Sequence, residues 1–136
     1  MRSDILYIAL VLDERSSEEL LEVAKDFVEQ LDDFEPRFLC HHMTMAFWKQ
    51  LDEDFLEYCE SVEGETFDLI VTHIGISDKA VAVKVETDVD SLNSLKHVTL
   101  AVNLNKGGKP VDSNHITQWE EFDRMRLKGK VKFFYK

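Results

Sequence analysis

The chain opens with an unbroken apolar run, Ile5-Leu6-Tyr7-Ile8-Ala9-Leu10-Val11-Leu12. A run of this length and kind predicts a buried strand. Ser16-Ser17-Glu18-Glu19 then reads as a helix start with acids in its first turn. Leu20, Leu21, Val23, Ala24, Phe27, Val28 and Leu31 recur at helical spacing, which extends the helix to about Asp33, with Pro36 ending it. Residues 38–48 form the second predicted strand. Residues 51–62 form a short helix with Phe55, Leu56 and Cys59 on one face and Gly64 closing it. Two β-rich runs, 67–76 and 80–89, meet at Ser77-Asp78-Lys79 and predict a hairpin. In the second arm Val81, Val83 and Val85 alternate with Ala82, Lys84 and Glu86, so that second face is expected to be the more exposed one. A helical turn over 90–95 leads to a strand over 96–102 and a Gly-rich, basic loop over 104–110. Asp112-Ser113-Asn114 looks like a cap before a short helix over 116–122. The last strand, 127–135, carries Leu127, Gly129, Val131, Phe133 and Tyr135 on one face and lysines on the other. The order is β-α-β-α-β-β-turn-β-loop/helix-β, an α+β pattern with no linker or low-complexity tract.

Composition adds limits. The 136 residues are 44% hydrophobic and 32% charged, values of one globular domain spanning 1–136. No stretch has the length of a membrane span, and the beginning, Met1-Arg2-Ser3-Asp4, has no small-residue cleavage site. Cys40 and Cys59 are few and far apart, which fits free thiols, a reducing compartment and a cytoplasmic location. They offer no zinc spacing. The net charge of −11 argues against broad affinity for nucleic acid, though not against a site for one nucleotide or one RNA end. The charge is uneven. Residues 13–65 are acidic, whereas Arg124, Arg126, Lys128, Lys130, Lys132 and Lys136 follow one another with no acid among them. Most of these charges read as solvated faces.

Two short stretches change the picture. His42-Met43-Thr44-Met45-Ala46 and His97-Val98-Thr99-Leu100-Ala101 share the pattern His-apolar-Thr-apolar-Ala, each within a predicted strand. Alternation along a strand puts His and Thr on one face and the apolar pair on the other, with Ala46 and Ala101 expected beside the polar residues. Histidine exchanges protons near neutral pH. Two imidazoles around one phosphodiester provide a base for the attacking water and an acid for the leaving oxygen. The Thr44 and Thr99 hydroxyls suit the charge that gathers on the phosphoryl oxygens. The chemistry asks for no metal and no cofactor. A third match, His115-Ile116-Thr117, lies in a loop and lacks the flanking pattern, so it is set aside.

These residues resemble the two-histidine (2H) phosphoesterase superfamily, which is defined by two such strand motifs. Within it, HVTLAVNLNKGGKPVDSN, residues 97–114, is most similar to the 2′,3′-cyclic nucleotide phosphodiesterases and the cyclic phosphodiesterase domain of fungal tRNA ligases. The Gly129-Lys130-Val131 strand is similar too. The resemblance implies a bilobal, LigT-like α+β fold, with two antiparallel sheets around a central groove and outer helices. It also implies His42, Thr44, His97 and Thr99 as catalytic residues, and hydrolysis of a 2′,3′-cyclic phosphate at an RNA end or on a nucleotide. The nearer relatives leave a 2′-phosphate. The chain is shorter than many members, so some capping helices are expected to be missing. The family has no fixed histidine before the first motif, and His41 is expected to face away from His42 as a packed or edge residue. Aromatic stacking on the base is expected, from Phe47, Trp48, Trp119, Phe134 or Tyr135. Lys106, Lys109 and Ser113 are candidates for the mouth of the groove. The expected state is a monomer. Two other readings remain: degradation of 2′-5′ oligoadenylate or cyclic-oligonucleotide signals, and a nucleotide-binding module without turnover.

Overall fold

The computed structural model describes residues 4–136, so the first three residues of the expected leader-free start lie outside the described residues. The opening apolar run forms β1 (Ile5–Leu12), and both of its edges are paired with other strands. Ile8, Ala9 and Leu10 are fully buried there. Burial of each of the two larger side chains contributes about 1.5–3 kcal/mol.

Helix α1 (Glu14–Glu29) begins earlier than expected. Asp13 is its N-cap, because its carboxylate accepts from the Ser16 N–H at 2.8 Å. That bond also holds the Asp13 carboxyl below its ordinary pKa. Ser16 is buried instead, and its hydroxyl accepts from the Lys128 N–H at 2.8 Å. The helix stops at Glu29, before Asp33, which takes a left-handed φ of 53°. Pro36 therefore ends nothing; it starts β2 (Pro36–Phe38), which among the described residues pairs with β6 alone. An edge position tolerates the missing N–H of proline. Helix α2 (Glu53–Val62) is capped by Asp52, whose carboxylate accepts from the Phe55 N–H at 2.8 Å, and it buries Leu56 and Cys59.

The strand expected over 38–48 is interrupted. Its second part is β3 (His42–Phe47). Between β2 and β3, Cys40 adopts a left-handed φ of 52°. The hairpin forms as expected, from β4 (Thr66–Ile76) and β5 (Ala80–Glu86). The segment 90–95 contains no helical turn. β6 (His97–Asn103) carries the second motif, and 3-10 segments follow at Leu104–Lys106 and Pro110–His115.

The largest departure is at the end of the chain. The helix expected over 116–122 is the first part of an 18-residue strand, β7 (Gln118–Tyr135). Trp119, Phe122 and Met125 recur every third residue, a helical spacing. Their strand pairs with β4 through a bulge: Val71 faces Met125, but His73 faces Glu121. The extra residues carry the chain across the sheet, so Phe122 and Met125 pack on the main core while Trp119 packs in a smaller cluster. Trp119 lies flat over Gly75, where a Cβ would meet its ring at 2.5 Å. Only glycine lets the ring approach that strand.

The strands run in the order β2-β6-β3-β1-β7-β4-β5, and β5 also pairs with β6. The fold is thus α+β, with two helices on one closed, barrel-like antiparallel sheet rather than two separate sheets. Its narrowest join is between β3 and β6, which pair only at Met43 and Val98. Leu20, Ala24 and Val28 of α1 and Leu56 of α2 share the main core with Met43, Met45, Val98 and Leu100. The second cluster, Ala80, Ala82, Val102 and Ile116 with Leu39 and Trp119, explains why Ala82 is buried where an exposed face was expected. Among the described residues no helix is long and apolar enough to cross a membrane.

Candidate active site

The narrow join between β3 and β6 is where the two repeated motifs meet. Met43 and Val98 pair across it and point into the core. Alternation turns the flanking residues, His42 and Thr44 on one strand and His97 and Thr99 on the other, to the opposite face. All four line one cavity of about 580 Å³. That volume lies within the range of small-molecule sites. No carboxylate lines it, although the chain as a whole is strongly acidic.

Both strands carry a bulge directly after the threonine. Ala9 pairs with Thr44 and Ile8 with Ala46, which leaves Met45 extra; Ala82 pairs with Thr99 and Val81 with Ala101, which leaves Leu100 extra. A bulge breaks the alternation. The expectation that Ala46 and Ala101 flank the polar residues is therefore wrong. Both are fully buried beside core residues, at Ile8 and Val81. The repeat of five residues is a repeat of strand plus bulge.

The second motif is tightly fixed. His97 is 8% exposed, and its Nδ1 lies 2.8 Å from the Leu95 carbonyl oxygen. A carbonyl only accepts, so Nδ1 carries a proton and Nε2 is the nitrogen free to exchange one. Burial lowers the His97 pKa, and the bond to Leu95 works in the other direction. The Thr99 Oγ1 lies 2.8 Å from the Ser113 Oγ. Ser113, expected at the mouth, is 1% exposed and acts on Thr99 from beneath the Pro110–His115 segment.

The first motif is held by rings. Tyr7 stacks on His42 with centroids 5.3 Å apart, and Phe134 stacks on Tyr7 at 4.5 Å. Burial pushes the His42 pKa down to about 4, with the neighbouring His41 and then His97 adding to the effect. His41 does not face away. It lines the cavity, and its Nδ1 lies 2.8 Å from that of His42. The reason is local: the left-handed Cys40, whose N–H donates to the Thr99 carbonyl, breaks the alternation immediately before β3, so the face of His41 does not follow by counting back from His42.

The remaining sequence candidates scatter. Trp48 is 40% exposed on the turn after β3, under the ammonium groups of Lys49 and Lys136, and does not line the cavity. Lys106 pairs with Asp33 at 3.2 Å beside a different depression. Lys109 precedes the Pro110–His115 segment, where its N–H donates to Asp112. Its neighbours Pro110 and Val111 line the cavity; Lys109 does not. Tyr135 pairs with Ile5 and sits on the face opposite Phe134, so it points away from the site. Trp119 belongs to the second cluster, and His115-Ile116-Thr117 contributes no lining residue. Phe47 does line the cavity.

Several lining residues carry no motif. Tyr7 sits in the apolar run of β1, Gln50 and Asn93 bond to each other at 3.2 Å, and Asn114 ends the 3-10 segment. A tyrosine in an otherwise aliphatic strand was the one available signal. On the same face as Tyr7, β7 presents Phe134, Lys132 and Lys130, opposite Tyr7, Ala9 and Val11 respectively. Among the described residues no three His, Cys, Asp or Glu side chains converge as a metal-holding group.

No family model and no curated protein matches the sequence. Among solved structures, the likeness to one titled "Crystal Structure of Fungal RNA Kinase" covers 99% of this chain at a TM-score of 0.59 and 14% identity. The chain spans only 45% of that chain. At this identity the likeness is one of fold: the α+β architecture built here from the sheet register also occurs within that fungal protein.

Proposed function

We propose that the protein is a 2H phosphoesterase that hydrolyses 2′,3′-cyclic phosphates at RNA ends or on nucleotides, leaving a 2′-phosphate. One observation carries the reading: two His-x-Thr motifs, on adjacent strands and flanking a single pair of residues, line one cavity free of carboxylates.

In the proposed reaction the cyclic phosphate sits between the two imidazoles. One takes a proton from water as the water oxygen bonds to phosphorus. The other gives a proton to O3′ as the P–O3′ bond breaks, so the 2′-phosphate remains, the two rings end with their protonation states swapped, and proton exchange with solvent resets them for the next turnover. The Thr44 and Thr99 hydroxyls donate to the phosphoryl oxygens, where charge gathers in the transition state. Burial lowers the pKa of both histidines, which disfavours their charged forms, and an anionic phosphodiester favours uptake of the catalytic proton. The cavity holds more than a phosphate, and Phe47 beside Gln50 and Asn93 suits a stacked base with amide groups at its edge. Lys130 and Lys132, two strands from His42 and Thr44 on the same face, favour an RNA end over a free nucleotide.

A substrate panel tests the reading. 2′,3′-cyclic AMP and an RNA ending in a cyclic phosphate are expected to open to 2′-phosphates. If 2′-5′ oligoadenylate is cleaved and the cyclic phosphates are not, the fold's chemistry stays and the substrate is wrong. Binding without product over long incubation supports a module without turnover.

A further inference from the structure

The two catalytic candidates differ in what holds the rear nitrogen of the ring. For His97 it is the Leu95 carbonyl. For His42 it is another imidazole, the Nδ1 of His41 at 2.8 Å. Two Nδ1 atoms in contact share one proton between them: one donates and the other offers its lone pair. If His41 donated, His42 would hold its proton on Nε2 and have no free lone pair for a base. If His41 accepts, the Nδ1–H of His42 stays in place whether the ring is neutral or cationic. Nε2 is then free to take up and release a proton. Only the second arrangement lets His42 turn over.

We propose that His41 is the positioning residue of the first half-site: it accepts from His42 Nδ1–H and makes Nε2 the working nitrogen, as the Leu95 carbonyl does for His97. This rests on the reading of His42 as an acid–base residue. The fold gives His41 this place by an unusual route. Cys40 is a non-glycine residue in the left-handed region, a conformation such residues rarely adopt. It is pinned there by its N–H to the Thr99 carbonyl at 3.1 Å, by Ser17 Oγ donating to its own carbonyl at 2.7 Å, and by its buried thiol against the Leu100 carbonyl. The kink turns the next side chain, His41, into the cavity. There its ring meets His42 edge-on at 5.1 Å and Phe134 at 6.4 Å.

Around this pair the cavity is lined by Tyr7 from β1, His97 from β6, and Pro110, Val111 and Asn114 of the 3-10 segment, so no carboxylate is there to replace His41 as the acceptor. Lys130 and Lys132 lie two strands away on the same sheet face.

The test uses His41→Ala and His41→Asn, whose amide oxygen restores an acceptor for an N–H. His41→Ala is expected to lower kcat about tenfold or more with KM within about twofold. His41→Asn is expected to recover kcat to within about threefold. Imidazole 15N spectra of the ligand-free protein give an activity-independent readout. His42 is expected as the Nδ1–H tautomer in the natural protein and in His41→Asn, and as a mixture in His41→Ala. An unchanged His42 spectrum in His41→Ala, or unchanged kcat in both variants, overturns the proposal. If the natural protein opens no cyclic phosphate, the functional reading fails, while the His42 spectra still decide whether His41 holds the ring.

Discussion

The two half-sites carry the same five-residue pattern and are built differently. The His97 half is anchored in backbone and buried polar contacts: the Leu95 carbonyl behind the ring, and Ser113, 1% exposed, behind Thr99. The His42 half is anchored by side chains, with Tyr7 stacked on the ring, Phe134 stacked on Tyr7, and His41 behind the ring. A backbone carbonyl sets one tautomer and cannot titrate, whereas a ring stack and a second imidazole can shift. The sequence repeat thus fixes what the strands present to the cavity, and the surroundings decide how firmly each copy is held.

The comparison is broken most sharply by removing each imidazole. His42→Ala and His97→Ala are each expected to reduce kcat by about 10²–10⁴-fold in cyclic-phosphate hydrolysis. A much smaller loss for either one would reduce the pair to a single working histidine. Next come the hydroxyls. Thr44→Ala and Thr99→Ala are expected to cost kcat on the scale of a lost oxyanion donor, about 10²-fold, with the larger loss for Thr99→Ala, whose hydroxyl Ser113 holds in place, and KM little changed. Equal losses would show that the tether from Ser113 adds nothing to Thr99.

Proton linkage gives the next effect. A histidine whose folded pKa lies below 6.5 stays neutral while the unfolded chain binds a proton, so the unfolded state gains protons first as pH falls. The contribution of His42 is therefore present above pH 6.5, declines below it, and is lost by about pH 4. Each tenfold difference in proton affinity between the folded and unfolded chain is worth about 1.4 kcal/mol, which makes roughly 2–3 kcal/mol for this partly buried ring. Urea unfolding at pH 7.0 and 4.5 checks this: His42→Gln is expected to flatten the pH dependence more than His97→Gln. The reverse order would mean that the backbone-held ring is the more strained. The smallest effect concerns the surface. Lys130→Ala with Lys132→Ala is expected to raise KM for a cyclic-phosphate-ended RNA about tenfold at low salt, leaving 2′,3′-cyclic AMP unaffected. An equal change for both substrates removes the case for RNA.

The legible parts of the chain were those in which one local pattern dominates. The eight apolar residues of β1, the helical spacing from Leu20 to Val28 and the hairpin around Ser77-Asp78-Lys79 all form as read. So do the two motif strands, with their His and Thr on one face. What the sequence concealed lies where the chain changes register. Trp119, Phe122 and Met125 imitate a helix because a bulge carries β7 across the sheet. Ala46 and Ala101 reverse faces for the same reason. His41 enters the cavity because the left-handed Cys40 breaks the alternation just before β3. Closure of the sheet by β5 and β6 depends on pairing between distant segments, and periodicity carries no record of it. The candidates chosen by residue type at the surface, Trp48, Lys106, Lys109 and Tyr135, fared worst, because exposed aromatic and basic side chains find other neighbours.

The central claim, that two matched histidines open a cyclic phosphate together, is tested most directly by phosphorus NMR. The 2′,3′-cyclic AMP signal is followed in the presence of the natural protein, His42→Ala and His97→Ala. The account predicts conversion to 2′-AMP by the natural protein and none on that timescale by either variant. Conversion at the natural rate by either variant, or no conversion by the natural protein, would contradict it.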